Sequence, residues 1–252
     1  MSDLFWLTDE QMERLRPLFA KSHGKPRVND RRVLSGIVFV NRNGLRWRDA
    51  PSAYGPHKTL YNWCRRWGEA GIFTRIMEGL AAVNAEPKTV MIDATYLKAH
   101  RTASSLRVKK GNLGRLIGRT KGGMNTKLHA IADGNGRPLS FFMTAGQASE
   151  YTGAAALLDD LPKAQWVLGD RGYDADWFRD ALNAKGIEPC TPGRRSRNEP
   201  VRYDKRRYRR RSRIDIMFGR LEDWRRVATR YDRFPTAFFS AVALAATVIF
   251  WL

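Results

Sequence analysis

The feature that most constrains how this chain can fold is a pair of short apolar runs, each of which leads to an aspartate. Thr89–Thr95 is rich in β-branched and apolar residues and contains Asp93, and Ala164–Gly169 leads directly into Asp170. Runs of this kind are typical of buried strands. A carboxylate at the end of a buried strand is costly unless a metal ion or a fixed hydrogen-bond donor compensates it. We therefore expect the fold to bring such compensation to both acids.

The charge balance of the chain indicates its partner. Its 252 residues include 45 Lys and Arg against 25 Asp and Glu, which gives a net charge of +20 and an isoelectric point near 10.6. A cationic excess of this size suits a polyanion, and we expect double-stranded DNA. The apolar fraction of 43% is that of a globular protein and excludes a disordered tail.

The cysteines and the chain ends bear on the compartment. Cys64 and Cys190 lack metal-site spacing, so we expect two reduced thiols in a cytoplasmic, nucleoid-associated protein. The residues from Met1 to Leu4 show no signal sequence. Pro235–Leu252 has enough apolar residues to suggest a membrane span, but its Ala content favours a buried core helix, so we expect no membrane partner.

Residues 1–84 are predicted to form a small all-α, helix-turn-helix-like region that binds DNA. A capping-box pattern predicts a first helix over 8–20. Asn29 is expected to cap a second helix that ends at Gly44. Ala81–Lys88 is expected to be a linker to the rest of the chain.

A third helix is predicted over about His57–Glu69. Basic and amide side chains recur along one of its sides at three- and four-residue spacing: Lys58, Asn62, Arg65 and Arg66. This pattern after a tight turn suits the recognition helix of a helix-turn-helix unit. It suits a solvated helix of an ordinary bundle equally well, and the net charge of the protein favours DNA binding.

Residues 89–252 are predicted to form an α/β domain with a mixed sheet and helices on both faces. The strands 127–132 and 139–144 are joined by Asp-Gly-Asn-Gly, a strong hairpin signal, and His129 in the first of them is interpreted as structural. Further elements complete a βββαβαβ order: helices near 150–161 and 174–184, and strands over 164–169 and 187–190.

The basic, Gly-rich stretch 101–127 lacks the Gly-Lys-Ser/Thr ending of a P-loop. It is either a mobile surface loop or a loop that lies along a nucleic-acid backbone. In the second case Lys121 contacts DNA.

A second basic stretch, 194–213, leads into a helix with a periodic apolar stripe. Four polar residues next to this stripe share one face: Tyr208, Arg211, Asp215 and Glu222. We expect three arginines of this region to contact DNA phosphates, namely Arg211, Arg220 and Arg225. Tyr208 is expected to contact DNA beside them.

Asp93, Asp170 and Asp215 together indicate a catalytic metal site. Transfer of a phosphodiester needs its attacking and leaving oxygens stabilised in line, and two Mg²⁺ ions roughly 4 Å apart achieve this. Carboxylate oxygens hold such ions, and Mn²⁺ can substitute for Mg²⁺. Each acid alone has an ordinary alternative, namely a turn cap for Asp93 and ion pairs with Arg171 and Arg211 for the others. Their joint occurrence in a basic protein favours the metal site.

Several motifs follow one another along nearly the whole chain: Leu7–Gln11, Trp47–Pro51, Tyr54–Thr59, Ile92–Thr95, Ala99–Thr102, Gly118–Ala130, Gly169–Asp174 and Arg225–Asp232. In this order they resemble the DDE transposases of bacterial insertion sequences, specifically the insertion-sequence-five type. The resemblance implies an RNase H-like catalytic domain over 89–252, in which Asp93 and Asp170 are the first two of three metal-binding acids.

The resemblance also extends to a late helix that carries Tyr, Arg, Glu and Lys in the family. The corresponding residues here are Tyr208, Arg211, Asp215 and Glu222. The Asp shortens the carboxylate by one methylene, and the Glu reverses the charge where the lysine of the family meets DNA. We therefore predict an enzyme that is weakened but active.

The expected function is that of a transposase. It binds the terminal inverted repeats of a mobile element and catalyses Mg²⁺-dependent cleavage and transfer to target DNA, as a homo-oligomer on the DNA ends. Water and then a DNA 3′-hydroxyl are the expected nucleophiles. Two alternatives remain: a weakened or inactive relative that represses the element by binding its ends, and a sequence-tolerant nuclease of the same fold.

Overall fold

A computed structural model describes residues 3–19, 29–85, 87–104 and 114–252. The helices are α1 (Asp9–Leu15), α2 (Asp30–Asn43), α3 (His57–Glu69), α4 (Ile72–Asn84), α5 (Arg101–Ser104), α6 (Glu150–Leu157), α7 (Asp176–Ala184), α8 (Lys205–Tyr208), α9 (Ser212–Glu222), α10 (Arg225–Ala228) and α11 (Pro235–Ala246). The strands are β1 (Thr89–Ala99), β2 (Gly118–Thr120), β3 (Gly123–Asp133), β4 (Pro138–Ala145), β5 (Trp166–Gly169), β6 (Glu188–Cys190) and β7 (Thr229–Arg230). The last residue of the predicted 8–20 helix and residues 105–113 of the predicted basic loop lie outside this description.

The chain forms two compact units. The first contains described residues of 1–80, 100–105 and 221–252, and the second contains those of 81–99 and 106–220. This division differs from the order of the chain, because residues 221–252 pack in the first unit. The assignment of DNA binding to 1–84 and of catalysis to 89–252 concerns function and stays a prediction.

The first unit is helical, and its helix ends follow from local side chains. Thr8 Oγ1 accepts a hydrogen bond from Gln11 N at 3.1 Å, and Thr8 N donates to Gln11 Oε1 at 2.9 Å, so the capping box is formed. Asn29 Oδ1 accepts from Arg32 N at 3.1 Å. Gly44 ends α2 with φ of +68°, a left-handed conformation that favours glycine. These predictions are confirmed.

The predicted linker Ala81–Lys88 is wrong at its beginning. Helix α4 continues to Asn84, because Leu80 and Ala81 are buried and extend its apolar side. The sequence pattern missed this helix, whose buried residues include Phe73.

The apolar C-terminal stretch forms α11, which packs against α2 and α3. Most of its residues are buried, as expected for a core helix. A Cβ added at Gly68 of α3 would lie 2.8 Å from Ser240 Oγ, so glycine permits this close packing. None of the described helices is long and apolar enough to cross a membrane. Cys64 and Cys190 are free thiols.

The sheet of the second unit is mixed, as predicted. Strand β1 is antiparallel to β3, with Val90 opposite Asp133, and parallel to β5, with Ile92 opposite Gly169. Strand β5 is parallel to β6, and β3 is antiparallel to both β2 and β4. The order along the sheet is β2-β3-β1-β5-β6, with β4 also paired to β3. Strand β1, at the centre of the sheet, therefore has one antiparallel neighbour, β3, and one parallel neighbour, β5.

The β3–β4 hairpin is confirmed, and both strands are longer than predicted. Asp133 Oδ1 accepts hydrogen bonds from Asn135 N and Arg137 N, each at 2.9 Å. Its Oδ2 lies 2.7 Å from the guanidinium of Arg137. The buried carboxylate thus fixes the turn that the Asp-Gly-Asn-Gly sequence predicts.

Helices α6 and α7 share one apolar core with the central strands. The buried residues of this core are Val90, Ile92, Ile131, Ala154, Leu157, Val167, Tyr173, Phe178, Leu182 and Ile187. Gly153 lets α6 approach β3, because a Cβ there would lie 2.0 Å from His129 Nδ1. The other nitrogen, Nε2, lies 2.9 Å from Thr144 Oγ1, and burial lowers the pKa of His129 to about 4. Its contacts are those of a structural residue.

Candidate active site

The structure places Asp93 and Asp170 side by side. Strands β1 and β5 are parallel, and Ile92 lies opposite Gly169. Asp93 and Asp170 are the next residues along these two strands, so the two carboxylates emerge at the same position of the sheet. Each also accepts a local backbone hydrogen bond, from Ala94 N and from Gly172 N, both at 2.8 Å.

Asp93 carries a negative charge that its surroundings compensate only in part. The pKa of Asp93 is raised to about 6, and burial is the largest cause. The charges of Asp170 and Asp215 act in the same direction, while Arg211 and the Ala94 N–H oppose them. A buried carboxylate whose pKa is raised by burial and by neighbouring acids is a group beside which a cation binds favourably.

Arg211 connects Asp93 to Asp215. Its Nη1 donates a hydrogen bond to Asp93 Oδ2, and its Nη2 lies 3.4 Å from Asp215 Oδ2. The side chain of Asp215 is 53% exposed, whereas that of Asp93 is 14% exposed. Asp215 therefore stands at the solvent side of the site. In this arrangement no three His, Cys, Asp or Glu side chains of the described residues are close enough together to hold one metal ion.

Glu150, which the sequence analysis missed, is a fourth acid of this site. After burial, its charge is the next cause that raises the pKa of Asp170. Its carboxylate lies against Gly172, where an added Cβ would fall 1.6 Å from Glu150 Oε2. It accepts a hydrogen bond at 3.3 Å from Lys127 Nζ, whose side chain is 2% exposed. An acid in the first turn of a helix is common, so the sequence carried no signal for this role.

Asp174 organises the loop that follows β6. Its carboxylate is fully buried and accepts hydrogen bonds from Arg179 Nε at 2.8 Å, Arg197 Nε at 2.6 Å and Arg194 N at 2.7 Å. Arg194 in turn donates to the backbone oxygens of Arg171 and Gly172, next to Asp170. The acid thereby holds a basic loop against the turn that carries Asp170.

A pocket of about 380 Å³ lies at this loop. Its walls are formed by Arg171, Pro192, Gly193, Arg194, Arg197, Glu199, Pro200, Val201 and Tyr203. Arginines next to the acids supply donors suited to phosphate oxygens. In the sequence this stretch belongs to the basic run 194–213, and residue types alone do not predict a pocket there.

The predicted recognition helix, α3, exposes its polar face. Lys58, Asn62, Arg65 and Arg66 are all exposed, Trp63 is half-buried and Trp67 is buried. The guanidinium of Arg66 lies 5.7 Å from the ring centre of Trp63, and Arg65 Nε lies 3.4 Å from Glu69 Oε1. The face is thus available to a partner, and its binding to DNA stays a prediction.

The remaining predicted DNA contacts differ in exposure. Lys121 lies in the turn between β2 and β3 and is exposed, as are Arg220 and Arg225. Tyr208 is half-buried beside Arg211. The guanidinium of Arg211 is already engaged by two carboxylates, so its DNA contact also stays a prediction.

Comparison with known families covers most of the chain. A family model described as a transposase DDE domain matches residues 84–250, and one described as a putative transposase of the IS4/5 family matches residues 7–77. The chain belongs to the DDE transposase family. It is an insertion-sequence transposase by family, as the motifs of its sequence suggested.

Individual relatives agree with this family. A putative transposase for insertion sequence element IS6501 of Brucella ovis is 36% identical over 131 residues, which are 51% of this chain and 99% of that protein. A putative transposase for insertion sequence element IS402 of Burkholderia cepacia is 33% identical over 82 residues, which are 28% of this chain and 39% of that protein.

The fold is that of RNase H-like transposases. The structure of a piggyBac transposase in a synaptic complex with hairpin DNA has a TM-score of 0.50 to this DDE transposase. The two are 11% identical in sequence, and the match covers 97% of this chain and 72% of that one. The likeness confirms the predicted α/β fold class.

Proposed function

We propose that this chain binds the terminal inverted repeats of an insertion sequence and catalyses Mg²⁺-dependent cleavage and transfer of its DNA ends. The observation that carries the proposal is the pair Asp93 and Asp170 on adjacent parallel strands, with Asp215 connected to the pair through Arg211. A net charge of +20 supports a polyanionic substrate.

The donor set of the site fits a divalent cation. Hard carboxylate oxygens are the ligands that Mg²⁺ and Mn²⁺ prefer, and burial, with smaller effects of the Asp170 and Asp215 charges, raises the pKa of Asp93. Asp93 and Asp170 would hold such ions, and Asp215 would complete the set. When bound, the ions supply charge stabilisation to the attacking and leaving oxygens of a phosphodiester.

The other residues of the site have complementary roles in this proposal. Arg211 offsets part of the negative charge of Asp93 and Asp215, and it keeps the exposed acid close to the buried one. Arg171 and Arg194 lie beside Asp170, where they suit the phosphates that flank the cleaved bond. The exposed face of α3 would recognise the DNA ends, with Asn62 able to contact adenine through its amide.

The experiment that tests the proposal uses a supercoiled plasmid that carries the element ends. A transposase cuts at the ends in the presence of Mg²⁺ and joins them to target DNA. A protein that only represses the element binds the ends and cuts nothing. A sequence-tolerant nuclease cuts at many sites and joins none, so the three functions give three different patterns of products.

The triple change of Lys58, Arg65 and Arg66 to Ala should abolish the preference for the element ends. It should also lower the salt dependence of binding by about one unit of slope for each lost phosphate contact. Quantitative footprinting over a salt series measures both. The matched control changes Arg16, Arg42 and Arg75 to Ala, which removes the same charge from other positions. Equal specificity in the two triple variants would place end recognition elsewhere.

Asp215→Glu should raise the cleavage rate. The added methylene restores the reach of the carboxylate, and a catalytic group misplaced by about 1 Å costs up to roughly a hundredfold in rate. We expect a gain of between about tenfold and a hundredfold. Single-turnover cleavage at saturating DNA measures it. An unchanged or lower rate would show that position 215 holds no metal ion or that the site has adapted to Asp.

Glu222→Lys should tighten binding to the element ends, because it replaces a repelled charge by one that attracts phosphate. The salt dependence of binding should grow by about one unit of slope. Asp223→Lys is the matched control, since it makes the same charge reversal one residue further on. If both variants bind equally well, the effect is one of net charge and position 222 has no specific contact.

A further inference from the structure

Tyr173 has a hydroxyl group without a visible structural use. The side chain is 1% exposed and belongs to the apolar core around Ile92 and Phe178. Its hydroxyl is buried and has no hydrogen-bond partner among the residues that the structure describes. A buried hydroxyl that makes no hydrogen bond costs stability, and Phe would fill the same space without that cost. The hydroxyl therefore needs an explanation other than packing.

The position of this hydroxyl supplies the explanation. Tyr173 N donates to Asp170 O at 3.1 Å, and the Tyr173 Cβ lies 3.2 Å from where a Cβ of Gly169 would be. The start of the side chain is thereby fixed at the end of β5. The buried phenol lies within reach of the charges of Asp93, Glu150 and Asp170. A tyrosine hydroxyl can donate a hydrogen bond, whereas ionised carboxylates only accept.

We propose that Tyr173 is a positioning residue of the acid site: its hydroxyl donates a hydrogen bond to a carboxylate of the Asp93–Asp170 pair when that pair holds a divalent cation. Ligating carboxylates are commonly oriented by a neighbouring donor, and loss of such a donor weakens metal binding about 10- to 100-fold. The inference rests on the proposed metal site and adds the group that orients it.

The experiment titrates the full-length chain with Mn²⁺, without DNA, by isothermal calorimetry. Wild type, Asp93→Asn and Tyr173→Phe are compared, and the thermal stability of each protein is measured beside its affinity. The matched control is Tyr54→Phe. Tyr54 is also 1% exposed, but its hydroxyl donates to Phe5 O at 2.7 Å, in the first unit.

The expected result is that Tyr173→Phe weakens Mn²⁺ binding about 10- to 100-fold and leaves the melting temperature unchanged or higher. Tyr54→Phe should lower the melting temperature and leave Mn²⁺ binding unchanged. Wild-type affinity in Tyr173→Phe, with Asp93→Asn still impaired, overturns the role of Tyr173 alone. Destabilisation of Tyr173→Phe without loss of affinity also overturns it, since the hydroxyl then serves the fold. Wild-type affinity in Asp93→Asn overturns the metal site itself and the inference with it.

Discussion

Replacing Asp93 or Asp170 by Asn should reduce Mg²⁺-dependent cleavage of the element ends by roughly a thousandfold or more. Metal ions supply several kcal/mol of charge stabilisation in phosphoryl transfer, and each 1.4 kcal/mol is worth about tenfold in rate. Asn keeps the volume of the side chain but cannot supply the negative charge that holds the cations. Affinity for the DNA ends should persist, because the α3 face is unchanged. Single-turnover cleavage and filter binding measure the two properties separately.

The control for these variants is Asp180→Asn, an exposed acid of α7 in the same compact unit. It should cleave at the wild-type rate. If Asp93→Asn or Asp170→Asn cleaves within tenfold of wild type, the adjacent carboxylates are not the catalytic centre. If both lose DNA binding as well, the substitutions have damaged the fold, and their cleavage rates carry no information about metal.

Asp174→Asn should destabilise the protein by about 3–5 kcal/mol. Removing one partner of a buried ion pair leaves uncompensated charge: here Arg179 loses its carboxylate, and Arg197 keeps only its pair with the exposed Asp176. Burial raises the pKa of Asp174, but hydrogen bonds from Arg197, Arg194 N and Arg179 outweigh it and hold the pKa below its ordinary value. Urea unfolding of both proteins measures the difference.

The pH dependence of this difference has a definite sign. The folded-state pKa of Asp174 lies below the unfolded value near 3.9. The contribution of this carboxylate to the free energy of unfolding is therefore complete above that value and is lost as the pH falls through the folded-state pKa. The difference in free energy of unfolding between wild type and Asp174→Asn should therefore become smaller below about pH 4. Asp9→Asn, in the exposed pair with Arg31, should cost at most about 1 kcal/mol at any pH. Equal losses in the two variants would contradict a special role for Asp174.

Local signals in the sequence were sufficient for most of the elements. The side chains of Thr8 and Asn29 define where α1 and α2 begin, because they accept hydrogen bonds from backbone N–H groups in the first turn. Gly44 defines where α2 ends, because it adopts a left-handed conformation. The hairpin at Asp133 was predictable for the same reason. Helix α4 was missed, since an apolar run near 80 does not by itself distinguish a helix from a linker.

The sequence by itself indicated Asp93, Asp170 and Asp215 as candidate acids and determined the family, because charged residues beside apolar runs and an ordered set of motifs can both be read from the order of residues. Only the tertiary structure decided that Asp93 and Asp170 are neighbours, since the parallel register of β1 and β5 depends on long-range pairing. It likewise brought Glu150 close to Asp170 and packed residues 221–252 in the first unit. Contacts between residues far apart in the chain arise from burial of shared apolar surface, and no local pattern encodes them.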